Sequence, residues 1–219
     1  MSGPTLVRDV MRAPVLVPEG MWFRELVRLL RDRGAEFLTV VDGRGRPVGA
    51  VTEEDLLLKL AHRCREEPPA GPVSASRRAE RRKAAAVIAR ELMSEPLIWV
   101  APSLPAAEAA RLMRERRLRH LAVLDGEGWP IGVVERGDLL ALLLRPDAEI
   151  RQDVEDLLAR LLREAADSIA VEVCDGLAVL RPRREVDLAL EEVLPDVLEV
   201  EGVVAARVLE TAGGRPGPA

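Results

Sequence analysis

Hydrophobic and polar positions follow the same order of elements twice along this chain. In the first stretch, residues 22–33 place leucines at helical spacing and predict an amphipathic helix that ends at Gly34. Two β-branched runs, 37–41 and 47–51, flank a glycine-containing turn and predict a hairpin. A helix with a capping-box start is predicted next, over 52–61. The second stretch predicts a helix over 105–117, strands over 120–124 and 130–134, and a helix over 136–144.

An internal repeat at an offset of 83 residues underlies this recurrence. Residues 42–56 and 125–139 share Asp-Gly, a second Gly, Pro, a third Gly and Asp at matching positions. Upstream, Met11 matches Met93 with the offset slipping to 82. The predicted organisation is therefore a first repeat over 5–61 and a second over 87–144, with a connecting segment over 62–86. Clefts between two such similar modules are common places for small ligands.

A third unit is predicted over 149–210. An amphipathic helix covers 150–162, strands at 169–173 and 177–180 form a hairpin, and a strand covers 203–209. A helix is predicted over 186–197, with its end distorted by Pro195. Residues 211–219 are rich in Gly and Pro and are expected to be disordered.

Composition narrows the class of protein. Hydrophobic residues make up 48% and charged residues 32%, whereas aromatics are only 2%, so we expect a soluble protein with an aliphatic core. The chain has no apolar run of membrane-spanning length and no secretory signal at its start, so a cytoplasmic location is expected. Cys64 and Cys174 are isolated, which predicts neither a disulfide framework nor a metal site.

Charge is spread unevenly. Residues 1–148 hold 24 Lys and Arg against 21 Asp and Glu, a net +3, whereas residues 149–210 hold 7 against 16, a net −9. An acidic third unit repels phosphate backbones and anionic lipid, so neither nucleic acid nor a membrane is expected as a partner. The basic run 77–83 has no interleaved aromatics, and we interpret it as a solvated helical lead-in to the second repeat.

The repeats resemble the CBS domain family in its tandem-pair form. The family signature, Gly-h-h-Thr/Ser-x-x-Asp-h with h hydrophobic, is met in full by residues 49–56. The resemblance implies an α+β/α/β fold in which two βαββα repeats pack as a pair. The third unit, with Asp175-Gly176 in its hairpin, resembles a small αββαβ BON domain, although Arg181-Pro182 stands where that family usually has Ser-Gly.

The CBS resemblance implies an adenosine-type ligand in each of two clefts. The signature Asp would bind the ribose hydroxyls, the Thr or Ser three residues earlier would face ribose and phosphate, and the partner repeat would supply apolar walls and basic groups. In the first cleft, site A, these roles fall on the following residues: Thr52, Asp55, Ile98, Leu118, Arg119 and His120. In the second cleft, site B, they fall on a less favourable set: Leu16, Ala35, Glu36, Phe37, Glu135 and Asp138.

Electrostatics separate the two sites. Carboxylates at Glu36 and Glu135 would repel a phosphate, whereas Arg119 would contribute a charge-assisted hydrogen bond. We therefore expect site A to bind an adenine nucleotide, and site B to be empty or to take an uncharged nucleoside. An alternative stays open for Thr52 and Asp55, because the same pair is a helix N-cap with its N3 partner and needs no ligand for that role.

No grouping of catalytic residues is present in the sequence, so no enzymatic activity and no required cofactor are predicted. Two functions remain open. One is a regulatory module that senses an adenine nucleotide and signals through the BON-like unit or a protein partner. The other is a ligand-free interaction scaffold that dimerises through the apolar helix faces around 56–60 and 139–144, with the BON-like unit docking to a protein or membrane. The resemblance implies a homodimer in either case.

Overall fold

The computed structural model describes residues 4–63, 75–183 and 190–209. Residues 6–136 form one compact unit, and the residues after 136, with Pro4 and Thr5, form a second. Cys64 and the tail predicted over 211–219 lie outside the described residues. The helices and strands, in chain order, are α1 (Val7–Val10), β1 (Leu16–Pro18), α2 (Phe23–Arg33), β2 (Phe37–Val41), β3 (Pro47–Thr52), α3 (Glu53–Arg63), α4 (Ala75–Ala85), α5 (Ala89–Leu92), β4 (Trp99–Val100), α6 (Ala106–Arg116), β5 (His120–Leu124), β6 (Pro130–Glu135), α7 (Arg136–Leu140), α8 (Asp147–Leu162), β7 (Ile169–Cys174), β8 (Leu177–Pro182), α9 (Leu194–Leu198) and β9 (Ala205–Val208).

Each repeat builds a three-stranded mixed sheet with the same pairing. In the first repeat β1 pairs with β2 in parallel, and β2 pairs with β3 antiparallel. In the second repeat β4, β5 and β6 pair in the same way. The two hairpins predicted from the β-branched runs are therefore present. In both, the register shifts between the last two residues of the first hairpin strand.

Two predicted helices differ from the structure. The helix predicted over 136–144 is α-helical only to Leu140 and continues as a 3-10 turn over Ala141–Leu144. Within the described residues, the helix predicted over 186–197 is a 3-10 turn over Leu190–Val193 followed by α9. Pro195 lies in the first turn of α9 and not at its end, which is where a missing backbone N–H costs least.

The Asp-Gly-x-Gly turns of the two hairpins have the same internal bonding. The Oδ1 atom of Asp42 accepts the backbone N–H groups of Arg44 and Arg46 at 2.8 and 2.9 Å. The equivalent Oδ1 atom of Asp125 accepts N–H groups two and four residues further on, at 2.9 and 2.8 Å. In the first turn, the bonds from Arg46 and Arg44 hold the pKa of Asp42 below its usual value, because they favour the ionised carboxylate.

The segment that precedes the sheet of each repeat, the lead segment, packs against the other repeat. A hydrophobic core around α2 and β2 takes in Ala89, Leu92 and Met93, which precede the second repeat's own sheet. Conversely, Val7 of α1 is fully buried, and its N–H donates to the carbonyl of Leu104 at 2.8 Å, next to α6. Each repeat therefore completes its core with the segment that leads into the other.

Glycines in β3 and β6 make room for the crossing methionines. A Cβ added to Gly49 would lie 2.8 Å from Sδ of Met93, and one added to Gly132 would lie 2.6 Å from Sδ of Met11. Both distances are far below van der Waals contact. The matched Gly and Met positions of the sequence repeat thus contact each other between repeats.

Between the two sheets lies a smaller core that joins the repeats. Buried Phe37 and Ala50 of the first repeat pack with buried Ala122 and Val133 of the second, with Leu97 at the edge. The hairpin turns also touch, because the guanidinium of Arg46 lies 4.3 Å from the ring centre of Trp129. The repeats are therefore packed as a pair, as their resemblance to tandem modules implied.

The second compact unit, which contains the third unit predicted from the sequence, is an α+β unit with its own core. Strands β7, β8 and β9 form one mixed sheet, in which β8 pairs antiparallel with β7 and parallel with β9. Buried Ile150, Val154 and Leu158 of α8 pack against this sheet. The carboxylate of Asp147 in the first turn of α8 accepts the N–H groups of Asp175 and Gly176 at 2.8 and 2.9 Å, which ties the hairpin turn to the helix. In the described part of the chain, no helix is long and apolar enough to cross a membrane.

Candidate ligand-binding cleft

An open cavity of about 690 Å³ lies in the first unit, between the end of β3 and the start of β5. All six residues predicted for site A line it, and so do Glu36 and Phe37, which the sequence placed in site B. The complete lining is Glu36, Phe37, Ala50, Thr52, Glu53, Glu54, Asp55, Leu57, Ser94, Pro96, Leu97, Ile98, Arg117, Leu118, Arg119, His120 and Arg136. A volume of this size is typical of small-ligand sites.

Thr52 and Asp55 form the helix cap that the sequence predicted. The Asp55 Oδ2 atom accepts the backbone N–H of Thr52 at 2.9 Å and its hydroxyl at 3.0 Å. In return, the N–H of Asp55 donates to the Thr52 hydroxyl oxygen at 3.4 Å. The cap places both side chains at the junction of β3 and α3, facing the cavity.

A lysine from the basic lead-in contacts the same carboxylate. The Nζ atom of Lys83, on α4, lies 2.5 Å from Oδ1 of Asp55 and donates to Oγ of Ser94 at 2.7 Å. The run 77–83 does form a helix, but Lys83 is not a solvated charge: 22% of its side chain is exposed. Sequence reasoning missed this contact, because no spacing relates a lysine in a connecting segment to a carboxylate 28 residues earlier.

These bonds limit what Asp55 can accept from a ligand. A carboxylate has about four acceptor positions. Thr52 occupies two on Oδ2 and Lys83 occupies one on Oδ1, while the Ser94 hydroxyl lies at a longer 3.5 Å from Oδ1. Asp55 can therefore accept one further strong hydrogen bond while its own network stays intact.

The second repeat contributes three arginines to the lining of the cavity. Arg117 and Arg119 stand just before and just after Leu118, between α6 and β5, and Arg136 stands at the start of α7. The Nε–H of Arg136 donates to the carbonyl of Leu118 at 2.8 Å, and its backbone N–H donates to the carbonyl of Arg119 at 3.1 Å. These bonds join Arg136 to the segment that carries Arg117 and Arg119.

His120 and Phe37 lie at the base of the cavity and belong largely to the core. Their rings stack with centres 5.3 Å apart and an angle of 29° between planes. The Nε2 atom of His120 lies 3.4 Å from Oε2 of Glu36, whose side chain is mostly exposed. Glu36 thus lies beside the residues of site A, and the division of carboxylates and basic groups between two clefts is less complete than the sequence implied.

The other residues assigned to site B lie in different surroundings. Leu16 on β1 is 44% exposed. Ala35 lines a second, mostly apolar groove of about 620 Å³ between α2 and α3. Glu135 forms an ion pair with Arg12 at 3.4 Å. Asp138 is buried in the first turn of α7 and belongs to the second unit.

The apolar groove exposes large hydrophobic side chains. Leu57 and Leu60 of α3 are 51% and 59% exposed, and Val27 of α2 is 40% exposed. Lys59 covers one side of the groove, with Nζ 4.6 Å from the ring centre of Phe23. Among the described residues, no three His, Cys, Asp or Glu side chains are grouped closely enough to hold a metal ion.

Comparison with curated proteins finds relatives of unknown function. An uncharacterized protein of Methanopyrus kandleri is 30% identical over 116 residues, which cover 53% of this chain and 50% of that protein. An uncharacterized protein of Methanocaldococcus jannaschii is 26% identical over 153 residues, which cover 64% of this chain and 91% of that one. The chain therefore spans only half the length of the first relative.

Solved structures share the fold of the first unit. CBSX2 of Arabidopsis thaliana in complex with AMP is similar over 64% of this chain and 96% of its own, with 24% identity and a TM-score of 0.50. The CBS domain pair of protein MJ0100, in complex with 5′-methylthioadenosine and S-adenosyl-L-methionine, covers the same shares with 20% identity and a TM-score of 0.51. The model of the CBS domain matches residues 7–62 and 89–145, just over half of the chain. The chain therefore belongs to the CBS domain family and contains a tandem CBS pair.

Proposed function

We propose that the CBS pair is a regulatory module that binds an adenine nucleotide, of the AMP, ADP or ATP type, in the cavity of site A. The observation that carries this proposal is the division of the cavity wall. A hydroxyl and a carboxylate, Thr52 and Asp55, come from the first repeat, and Arg117, Arg119 and Arg136 come from the second. A nucleoside phosphate has a neutral sugar at one end and an anion at the other, which matches this polarity.

Two further observations support the ligand class. Leu97, Ile98 and Leu118 give the cavity apolar surfaces that suit the faces of a purine. The same fold holds AMP in CBSX2 and S-adenosyl-L-methionine in the MJ0100 pair, and both ligands contain adenosine. Because only the long bond from Ser94 uses the fourth acceptor position of Asp55, this carboxylate binds one ribose hydroxyl directly. Binding the second hydroxyl would require Thr52 or Lys83 to give up its bond.

Site B is proposed not to bind an anionic ligand. Its hydroxyl position holds Glu135, whose carboxylate is already paired with the guanidinium of Arg12. A phosphate placed there would meet a carboxylate whose counter-charge is already in use.

Titration calorimetry with AMP, ADP and ATP tests the site A assignment. We expect Asp55→Asn to weaken binding by about tenfold or more, because the charge that accepts a ribose hydroxyl is lost. Asp32→Ala is the matched control, since it removes an exposed carboxylate of α2 outside the cavity. Thermal unfolding of each variant shows whether the fold is kept. A correctly folded Asp55→Asn protein with unchanged affinity would remove the basis for site A.

The proposed output is a change in how the third unit or the CBS pair meets a protein partner. The third unit has the order of helix, hairpin, helix and strand expected for a BON domain, within its described residues, and we propose BON membership on that basis. Linkage then requires the partner to change nucleotide affinity by the same factor as the nucleotide changes partner affinity.

The exposed apolar groove favours a second candidate function, dimerisation as a scaffold. A groove that exposes Leu57 and Leu60 suits a second copy of the chain, which the family leads us to expect. Light scattering on Leu57→Glu/Leu60→Glu should then show loss of the dimer. Thermal shift separates the two candidates, because a ligand that binds the native state raises the unfolding midpoint and a ligand-free scaffold shows no such shift.

A further inference from the structure

The two repeats end their first long helix with the same backbone conformation but with different residues. Gly34 follows α2 with φ 58° and ψ 29°, and Arg117 follows α6 with φ 55° and ψ 36°. Both lie in the left-handed region. The offset between them is the 83 residues of the repeat, so Arg117 occupies a position at which the first repeat has glycine.

Arginine is a poor choice for this backbone. Glycine is the common residue at a left-handed helix end because it has no Cβ to clash with the following carbonyl. Favourable interaction with the helix dipole does not account for Arg117, because Arg114 and Arg116 already place two positive charges in the last turn of α6. The left-handed backbone of Arg117 therefore costs free energy that its interaction with the helix does not offset, which suggests that the Arg117 side chain has a function.

Arg117 is one of the residues that line the site A cavity, together with Arg119 and Arg136. Within the described residues, neither Arg117 nor Arg119 has a carboxylate partner within ion-pair distance. Three arginines in the lining of one cavity provide more donors than a single phosphate group needs, since one arginine can already bind a phosphate in a bidentate manner. Extended anions make use of such a row of donors.

We infer that Arg117, Arg119 and Arg136 form a polyphosphate subsite, and that Arg117 makes the cavity prefer a nucleoside triphosphate over a monophosphate. This inference rests on the proposed nucleotide binding in site A and names the specificity of that same site. Arg117 is the specificity-determining residue, because its position in the repeat is the one where glycine would satisfy the backbone better.

The test is a pair of opposite effects in Arg117→Gly. By calorimetry, we expect ATP affinity to fall by about tenfold or more while AMP affinity stays within about threefold of the wild type. By thermal unfolding without ligand, we expect the midpoint to be equal to or above that of the wild type, since glycine relieves the left-handed backbone. Arg116→Ala is the matched control: it removes one exposed cation next to Arg117 that does not line the cavity, and it should leave both affinities within about threefold.

Several results would overturn the inference. They are unchanged ATP affinity in Arg117→Gly, an equal loss for AMP and ATP, or an equal loss in Arg116→Ala. If the wild type binds neither nucleotide, the proposed function fails, and tripolyphosphate alone then decides the subsite. Binding of tripolyphosphate to the wild type that is lost in Arg117→Gly keeps the subsite, whereas absence of binding to the wild type removes it.

Discussion

The two CBS repeats share their backbone conformation and differ in the residues that they place at the candidate site. At the end of its third strand, the first repeat has Thr52, which is bonded to Asp55, and Asp55 also accepts from Lys83. The second repeat has Glu135 at the position of Thr52, and Glu135 is paired with Arg12. Ser94 and Arg12 occupy the same position after the crossing methionine. The first repeat therefore has two hydroxyl side chains where the second has a carboxylate and a guanidinium that form an ion pair.

A second difference gives the second repeat basic residues that the first repeat lacks. Gly34 and Glu36 of the first repeat correspond to Arg117 and Arg119 of the second, so the second repeat supplies the positive wall of the cavity. One composite site therefore draws its acceptors from one copy and its donors from the other.

The largest effect is expected from breaking the glycine–methionine contacts that the copies share. A Cβ at Gly49 meets the backbone carbonyl of Ser94 at 3.0 Å as well as Met93, whereas the three atoms nearest to a Cβ at Gly132 all belong to the side chain of Met11. Gly49→Ala should lower the free energy of unfolding by about 2–3 kcal/mol, and Gly132→Ala by about 1–2 kcal/mol. Urea unfolding measures both.

Turn glycines provide the controls for these two substitutions. An added Cβ at Gly43 or Gly126 meets nothing within 4 Å, so alanine there should change the free energy of unfolding by no more than about 0.5 kcal/mol. A larger loss for Gly132→Ala than for Gly49→Ala would contradict the role given to the Ser94 carbonyl.

A smaller effect is expected when the counter-ions of the two copies are removed. Lys83→Met leaves the buried Asp55 carboxylate without its cation while keeping most of the aliphatic stem, and should lower the free energy of unfolding by about 1–2 kcal/mol. Arg12→Met breaks a longer, more exposed pair and should cost no more than about 0.5 kcal/mol. Equal losses in urea unfolding would show that burial does not distinguish the two pairs.

The smallest effect concerns one buried hydroxyl. Thr39 on β2 is buried, and its Oγ1 atom has no hydrogen-bond partner in the described part of the chain, whereas the second repeat has Ala122 at this position. Thr39→Val should raise the free energy of unfolding by about 0.5–1 kcal/mol, because an unsatisfied hydroxyl is replaced by a methyl group of similar size. Thr39→Ser keeps the hydroxyl, removes a methyl group and should destabilise. Stabilisation by Ser but not by Val would refute this explanation.

Local patterns predicted most of the fold. Alternation and turn chemistry located both hairpins to within a residue, since strand period and Asp-Gly turns depend on neighbours along the chain. Pro195 was assigned to a helix end because proline occurs both in the first turn of a helix and just beyond its last residue, and only the backbone shows that α9 begins beside it. The crossing of lead segments was not predicted, because the sequence does not state which of two similar grooves a segment enters.

The site was predicted only in part for a related reason. A family signature identifies the residues that bind a common ligand, so Thr52, Asp55 and Arg119 were named from the sequence, and the structure brings them to one cavity. Lys83 and Arg117 belong to no signature. The one available signal for Arg117 was the alignment of the repeats with each other, which sets an arginine against a glycine at a helix end.

The exchange of lead segments has a consequence for the two halves as separate polypeptides. A fragment that stops after α3 would lack Ala89, Leu92 and Met93, and would expose the hollow that they fill. It would also carry Val7 and Met11 with nowhere to insert. Two such fragments could fill each other's hollows only by exchanging their N-terminal segments, as in a symmetric domain-swapped dimer. The single chain makes the same exchange between its two repeats, and the connecting segment links them covalently.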